Sequence, residues 1–174
     1  MAVLIIIKES KMATGYLNFA NHHTVAESTN ILGTEFGEHI YNVQMAQDHD
    51  NGVILGLGDY VEFDYYAEAQ AKGFKGQILM QNANGSYMVR TLEAADGDVL
   101  ILATPKTYYE FETEAKAERQ FYNAQGDIVR AYQLRYGDTF SLSKEGFTTE
   151  PTEAQVTGKS QVTVDAATGK LVIG

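Results

Sequence analysis

The sequence contains no cysteine and no tryptophan among its 174 residues. The absence of thiols excludes disulfide bonds, thiolate nucleophiles, and zinc or iron–sulfur sites ligated by cysteine. It does not indicate a cellular compartment, because a chain without cysteine can fold in oxidising and reducing surroundings alike.

Basic residues are scarce. Lysine and arginine together number 13 against 23 aspartates and glutamates, which gives a net charge of −10. The bases form no cluster along the chain. Since non-specific affinity for DNA, RNA and anionic lipids comes largely from clustered bases, we expect neither a nucleic-acid partner nor a membrane partner.

The sequence has no long hydrophobic run. The apolar N-terminal stretch Val3-Leu4-Ile5-Ile6-Ile7 is too short to span a bilayer, which takes about 20 residues. It also lacks the positive region and the cleavage site of a signal peptide. We therefore predict a strand at Val3–Ile7 that is buried or paired with a partner.

Catalytic motifs are missing. The chain has no G-x-S-x-G sequence, no Walker-type phosphate loop and no dinucleotide fingerprint. Pairs of acids such as Glu62 and Asp64 have the spacing of one strand face, but an acid-rich chain produces such pairs by coincidence, and we predict a solvated acidic surface. We expect a protein that is not an enzyme and binds no cofactor.

The sequence also lacks the ligand spacing of a calcium or zinc site. Asp48–Gly52 resembles the start of a calcium loop, but such a loop needs Gly at its sixth position and Glu at its twelfth, where this chain has Val53 and Asp59. We predict a solvated hairpin turn there and no metal. The four histidines, His22, His23, His39 and His49, match no zinc spacing, and we predict that they lie on the surface, with His22 and His23 on the N-terminal arm.

Four Gly-Asp pairs each precede a strand-like run: Gly58-Asp59, Gly97-Asp98, Gly126-Asp127 and Gly137-Asp138. Glycine supplies the positive φ angle of tight turns, and aspartate can bond to nearby backbone. The residues that follow are β-branched or aromatic, as suits a pleated surface. The pattern predicts short strands joined by tight turns.

Three hairpins are predicted from turn residues between alternating runs. The continuous apolar run Val99–Ala103 predicts a central strand that is buried on both faces. The predicted hairpin turns are Asp48–Gly52, Asn82–Gly85 and Ala166–Gly169.

Helix signals are few. Ala67–Lys72 has the composition for one or two helical turns ending at Gly73, Glu110–Phe121 reads equally as a helix or as a charged edge strand, and Lys144–Val156 reads as a loop. The predicted fold is mainly β, a compact sandwich or barrel of short antiparallel strands with an irregular N-terminal arm and at most one short helix.

The chain divides at residue 38 by composition. Residues 1–38 combine the first strand with an irregular segment that contains anchors such as Tyr16 and Phe19, and residues 39–174 form a single β-rich domain. A long irregular segment of this kind is usually functional or ordered by a partner. An arm lying on a neighbouring subunit and a loop wrapped over its own barrel both fit.

One aromatic strand region carries two arginines: Arg130 and Arg135 accompany Tyr132 and Tyr136. Arginine and tyrosine are the favoured anchors of protein interfaces. Alternatively, the arginines cover the strand surface or pair with nearby acids.

The C-terminal half resembles small β-rich virion proteins of tailed bacteriophages, in particular capsid decoration or cement proteins. The resemblance lies in Phe121–Leu134, Gly137–Ser143, Val156–Lys159 and the hairpin Val162–Ile173. It implies a structural protein of the virion, made in the host cytoplasm, that binds the outside of the capsid and stabilises it by bridging capsid subunits without catalysis. The implied partners are the major capsid protein and further copies of the chain, with a trimer favoured.

Two alternatives stay open: another phage structural component of the tail or of head completion, and a β module that binds a ligand or carbohydrate. For the leading hypothesis, the predicted partner-contact residues are Val3, Leu4, Ile5, Ile6, Ile7, Tyr16, Phe19, Arg130, Tyr132, Arg135 and Tyr136.

Overall fold

A computed structural model describes residues 16–17, 22–33, 39–62, 64–95, 99–104 and 119–174. The predicted mainly β fold is confirmed: these ranges contain thirteen strands, and their helical residues are confined to short stretches. The strands are β1 Tyr16–Leu17, β2 Ala26–Glu27, β3 Ile40–Gln44, β4 Ile54–Tyr60, β5 Tyr66–Ala69, β6 Lys75–Gln81, β7 Tyr87–Glu93, β8 Val99–Leu102, β9 Phe121–Tyr122, β10 Ile128–Gln133, β11 Thr139–Leu142, β12 Gln161–Val164 and β13 Leu171–Ile173.

Five strands form a closed barrel in the order β10-β3-β5-β4-β8, and the pairing of β8 with β10 closes it. All neighbours are antiparallel except β3 and β5, which run parallel. Closure leaves none of these strands with an open edge.

The second layer is a six-stranded sheet in the order β13-β12-β6-β7-β11-β2, with β13 and β2 at its two edges. Its long central pair is the hairpin β6–β7, which confirms the turn predicted at Asn82–Gly85. The hairpin β12–β13 confirms the last predicted turn. Strands β1 and β9 form a separate two-stranded sheet.

The side chains of β8 divide between two hydrophobic cores. Leu100 and Leu102 face the barrel interior, whereas Val99 and Ile101 join the core that lies between the barrel and the six-stranded sheet. All four side chains have 0% exposure. The prediction of a strand buried on both faces is therefore confirmed.

Two of the Gly-Asp pairs form the same turn. Gly126 and Gly137 have φ angles of 88° and 92°, a region that favours glycine. In the first turn the Asp127 side chain accepts a hydrogen bond from the Ala124 amide at 3.2 Å, and in the second the Asp138 side chain accepts one from the Arg135 amide at 2.7 Å. The donor amide lies three residues before the aspartate in both turns. Each turn leads into a strand, as predicted.

The hairpin predicted at Asp48–Gly52 is wrong. Strands β3 and β4 do not pair with each other, because β5 lies between them and pairs with both. The connection 45–53 instead runs along the segment 123–127, where His49 forms a two-way backbone bridge with Asn123.

Two further local predictions fail for long-range reasons. Gly58-Asp59 lies within β4 and not in a turn. Glycine is needed there because a Cβ atom on Gly58 would come within 2.5 Å of the carbonyl oxygen of Ala67. Ala67 belongs to β5 and not to a helix, since pairing with β3 and β4 on both sides overrides the helix propensity of the alanines.

The predicted loop Lys144–Val156 contains a 3-10 turn, Lys144–Gly146, and overlaps helix α1, Glu153–Thr157. The Thr152 hydroxyl and the Gln155 side chain form a capping box at its start. In the described ranges, no helix is long and apolar enough to cross a membrane.

Some predictions fall on residues that lie outside the described ranges. These are the strand Val3–Ile7, the turn Gly97-Asp98 and most of Glu110–Phe121. Within the predicted arm, residues 22–33 are described, and they contribute β2 to the six-stranded sheet and Ile31, with 0% exposure, to the intersheet core.

Replacing Ile101 with alanine should lower the free energy of unfolding by about 2–5 kcal/mol, because it leaves a cavity in a closely packed core. Ile128→Ala is the matched control on the neighbouring β10, where the side chain is 45% exposed, and it should cost less than about 1 kcal/mol. Urea unfolding of both variants measures the difference. Equal losses of unfolding free energy in the two variants would show that Ile101 of β8 does not stabilise the core.

Candidate functional site

One surface combines arginine with exposed aromatic and aliphatic side chains. Arg90 lies on the outer face of β7, and the turn before β11 brings Tyr136 beside it, with the guanidinium carbon 5.6 Å from the ring centroid. Leu32 is held close by, since its amide donates to Asp138 at 3.0 Å. We call Arg90, Arg135, Tyr136 and Leu32 the arginine–tyrosine face.

The arginine–tyrosine face is solvent-accessible. Tyr136 is 73% exposed and Leu32 is 39% exposed. The turn beneath is rigid, because Asp138 accepts from the amides of both Leu32 and Arg135. A large, preorganised and exposed tyrosine beside arginine is a typical anchor of a protein interface.

None of the chain's arginines is neutralised by a carboxylate of the described residues. The five ion pairs of these residues all use histidine or lysine. The arginines left without such a pair are Arg90, Arg119, Arg130 and Arg135. The prediction left open whether Arg130 and Arg135 pair with nearby acids, and the described part of the chain contains no such pair.

Strand β10 presents a second exposed surface on the barrel. Ile128 and Arg130 point outward, and the alternate residues Val129 and Ala131 fill the barrel interior. Tyr132 follows on the outward side, but the six-stranded sheet covers it and leaves 7% exposed. Of the residues predicted on β10, Arg130 is thus open to a partner, whereas Tyr132 contributes to the intersheet core.

The N-terminal residues predicted to contact a partner lie mostly outside the described ranges. Val3–Ile7 and Phe19 are not among the described residues. Tyr16 is placed in β1, where it pairs with Tyr122 of β9.

A buried polar network fixes the connection 45–53. Asn123, with 0% exposure, donates to the carbonyl of His49 at 3.2 Å and to the side-chain oxygen of Asn51 at 3.1 Å, and it accepts from the Thr104 hydroxyl at 2.5 Å. Asn51 in turn exchanges two hydrogen bonds with the backbone of Thr104. Every polar group of the Asn123 amide is paired, so the network stabilises one conformation.

His49 is buried and not on the surface, contrary to the prediction. It is 5% exposed, and its Nε2 lies 2.8 Å from Oε1 of Glu68 on β5. The second carboxylate oxygen of Glu68 accepts from the Ala46 amide at 2.7 Å. The sequence pattern could not show this contact, because Glu68 lies 19 residues from His49.

The pKa of Glu68 reflects these contacts. Burial by itself raises the pKa, but hydrogen bonds from His49 and the backbone, together with the charge on His49, outweigh burial and leave it below its usual value. Because the folded-state pKa lies below the unfolded-state value, the carboxylate stabilises the fold above the usual carboxyl range. That stability is lost as the pH falls through the folded-state pKa.

His23 is also paired. Its Nδ1 lies 2.6 Å from Oδ1 of Asp50, and its ring stacks on Tyr122 with a centroid separation of 5.2 Å. Both the amide and the hydroxyl of Thr24 donate to the other oxygen of Asp50, which also lies 3.7 Å from the Lys170 ammonium. Asp50 thereby ties the segment before β2 to the barrel connection.

A cleft of about 440 Å³ lies beside β2. It presents two bases, Arg119 and Lys144, and two acids, Glu27 and Glu145, together with serine and asparagine side chains. The balanced charges select no single ligand class. Within the described ranges, no group of three His, Asp or Glu side chains gathers in the geometry of a metal site.

Comparisons of the chain with known protein families, with curated proteins and with solved structures find no match.

Glu68→Gln should lower the free energy of unfolding at neutral pH by about 1–3 kcal/mol, because it weakens charge-assisted hydrogen bonds at a buried site. The deficit relative to the parent protein should shrink as the pH falls below about 4.3, the usual glutamate pKa, since the parent then loses the same carboxylate. Chemical unfolding of the variant and the parent protein at several pH values from neutral to below about 4.3 measures this deficit. Glu62→Gln, at an exposed position, is the control, and a pH-independent deficit would contradict the assignment.

Proposed function

We propose that this chain is a structural protein of a tailed-phage virion, which binds the outside of the capsid and stabilises it by bridging capsid subunits without catalysis. The major capsid protein is its partner, and the protein is made in the host cytoplasm and resides on the capsid surface. Attachment is multivalent, so that several weak contacts sum to tight binding.

The observation that carries the proposal is a set of four arginines, in an acidic chain, that form no ion pair with a carboxylate of the described residues. They lie on separate surfaces: Arg90 and Arg135 on the arginine–tyrosine face, Arg130 on the barrel wall, and Arg119 at the cleft beside β2. Guanidinium groups bind carboxylates through two parallel hydrogen bonds. A protein that bridges subunits needs at least two contact surfaces, and this distribution supplies them.

Exposed apolar side chains support the same function. Ile128 is 45% exposed beside Arg130, and Met80 is 50% exposed on the outer face of the six-stranded sheet. Arginine flanked by apolar area is the composition of interface anchors. The resemblance to decoration proteins covers β9, β10 and β11, the part of the chain that presents Ile128 and Arg130.

Incubation of the purified protein with phage heads that lack it tests the proposal. We expect co-sedimentation that saturates at many copies per head, in proportion to the capsid subunits, as read by mass spectrometry. A handful of copies would indicate a tail or head-completion role, and no binding would overturn the virion function.

In the same assay, Arg130→Glu should weaken binding by about tenfold or more, because it reverses the charge of an anchor. Lys72→Glu makes the same charge change at an exposed residue that belongs to none of these surfaces, and it serves as the matched control. Equal effects of the two variants on head binding would show that the barrel wall around Arg130 does not contact the capsid.

Deletion of residues 1–15 should weaken head binding while leaving the melting temperature of the β fold nearly unchanged. The deletion stops before β1, because residues 22–33 supply β2 and Ile31 to the sheet and core. An apolar strand can bind a neighbour by pairing with an open sheet edge. Thermal unfolding and co-sedimentation measure the two effects.

The full-length variant with Ile5→Asp and Ile6→Asp is the control for chain length, and it should bind as weakly as the truncated chain. Wild-type binding by both proteins, or unfolding of the truncated chain, would contradict this role of Val3–Ile7.

A further inference from the structure

A ladder of tyrosines lies at one end of the barrel. The ring of Tyr66, at the start of β5, packs edge-to-face against Tyr41 on one side and Tyr60 on the other, each with a centroid separation of 5.6 Å. Tyr60, at the end of β4, is 61% exposed. Its hydroxyl donates to Asp64 at 3.2 Å. The ladder therefore presents a supported aromatic surface to solvent.

Three acids lie next to the tyrosines of this ladder in the chain. Asp59, Glu62 and Asp64 are exposed and form no ion pair with any described residue. The sequence between the start of β4 and the end of β5 contains neither lysine nor arginine. We call Tyr60, Tyr66 and these three acids the tyrosine edge, and its charge is opposite to that of the arginine–tyrosine face.

Both surfaces lie at the same end of the barrel. Strands β4 and β10 are each antiparallel to β8, which lies between them, so they run in the same direction. Strand β4 ends at Tyr60, and β10 ends at Gln133, two residues before Arg135. A two-fold axis near this end can therefore bring each surface of one copy onto the opposite surface of another.

We propose that the arginine–tyrosine face of one copy binds the tyrosine edge of a second copy, and that the contact forms twice in a symmetric pair. Charge complementarity identifies the second copy as the occupant: each surface carries the charges that the other lacks. The contact goes beyond the proposed attachment to capsids, because it needs no capsid and leaves Arg130 on the barrel wall and Arg119 at the cleft for the capsid.

The chemistry of the two surfaces fits in detail. Arg90 and Arg135 offer planar donors to the carboxylates of Asp59 and Asp64. Arginine also stacks on aromatic rings, and the exposed ring of Tyr60 adds contact area that loses little entropy on binding. Because opposite charges steer the encounter, association should weaken as the salt concentration rises.

Charge reversal tests the contact in solution. The variant Arg90→Glu/Arg135→Glu places acid against acid, and the variant Asp59→Lys/Asp64→Lys places base against base. Each alone should associate at least about tenfold more weakly than the parent chain, measured by sedimentation equilibrium. An equimolar mixture of the two variants should recover the complex, since every contact between unlike copies again pairs opposite charges.

The double variant Lys72→Glu/Lys159→Glu makes the same change in total charge as Arg90→Glu/Arg135→Glu at two exposed lysines outside both surfaces, and it should leave association unchanged. Melting temperatures identify any variant that fails to fold. The mixture gives a second check, because only variants that are folded can recover association with each other. A parent chain that stays monomeric, or a mixture that does not recover association, overturns the proposal. Failure of head binding would leave it standing, because the measurement contains no capsid.

Discussion

Burial of β8 on all sides is the constraint on which the two layers depend. Its two edges pair with β4 and β10 and close the barrel, and its two faces fill separate hydrophobic cores. A strand in this position requires apolar residues at every site, since a polar side chain would be buried without water on either face. The sequence Val-Leu-Ile-Leu meets that requirement.

The end of the barrel opposite the tyrosine edge depends on a different kind of interaction. The connection 45–53 passes this end as a segment without regular structure, and buried backbone groups there need partners. Asn123, Asn51 and Thr104 supply them through a closed set of hydrogen bonds, and Glu68 holds His49 from the side of β5. Asp50 extends the network to Thr24, so the segment before β2 is fixed by the same connection.

Local signals predicted the parts of the fold that local chemistry decides. The turns at Gly126 and Gly137 need a positive φ angle and an aspartate, and the apolar run of β8 needs burial, so each could be read from a few adjacent residues. Pairing partners could not be read this way. The position of β5 between β3 and β4, and the partners of His49, involve residues distant in sequence, where a turn motif and an alanine-rich run are compatible with several folds.

The same contrast between local and long-range information applies to the predicted contact residues. Arg135 and Tyr136 were identifiable from composition, because arginine and tyrosine near a turn favour exposure. Arg90, Leu32 and the tyrosine ladder were not, since they join these surfaces only through the pairing of β7 with β11 and of β4 with β5.

The placement of the arginines separates folding from binding. An exposed ion pair contributes at most about 1 kcal/mol to stability, so the fold loses little by giving Arg90, Arg130 and Arg135 no ion pair with a described carboxylate. The same groups are worth more at an interface, where water is excluded and bidentate pairing is possible. In a chain of net charge −10, carboxylates are abundant, and an arginine paired within the chain would offer a partner less uncompensated positive charge. Arginines that form no ion pair within the described part of the chain thus remain available to a partner, with almost no loss of stability.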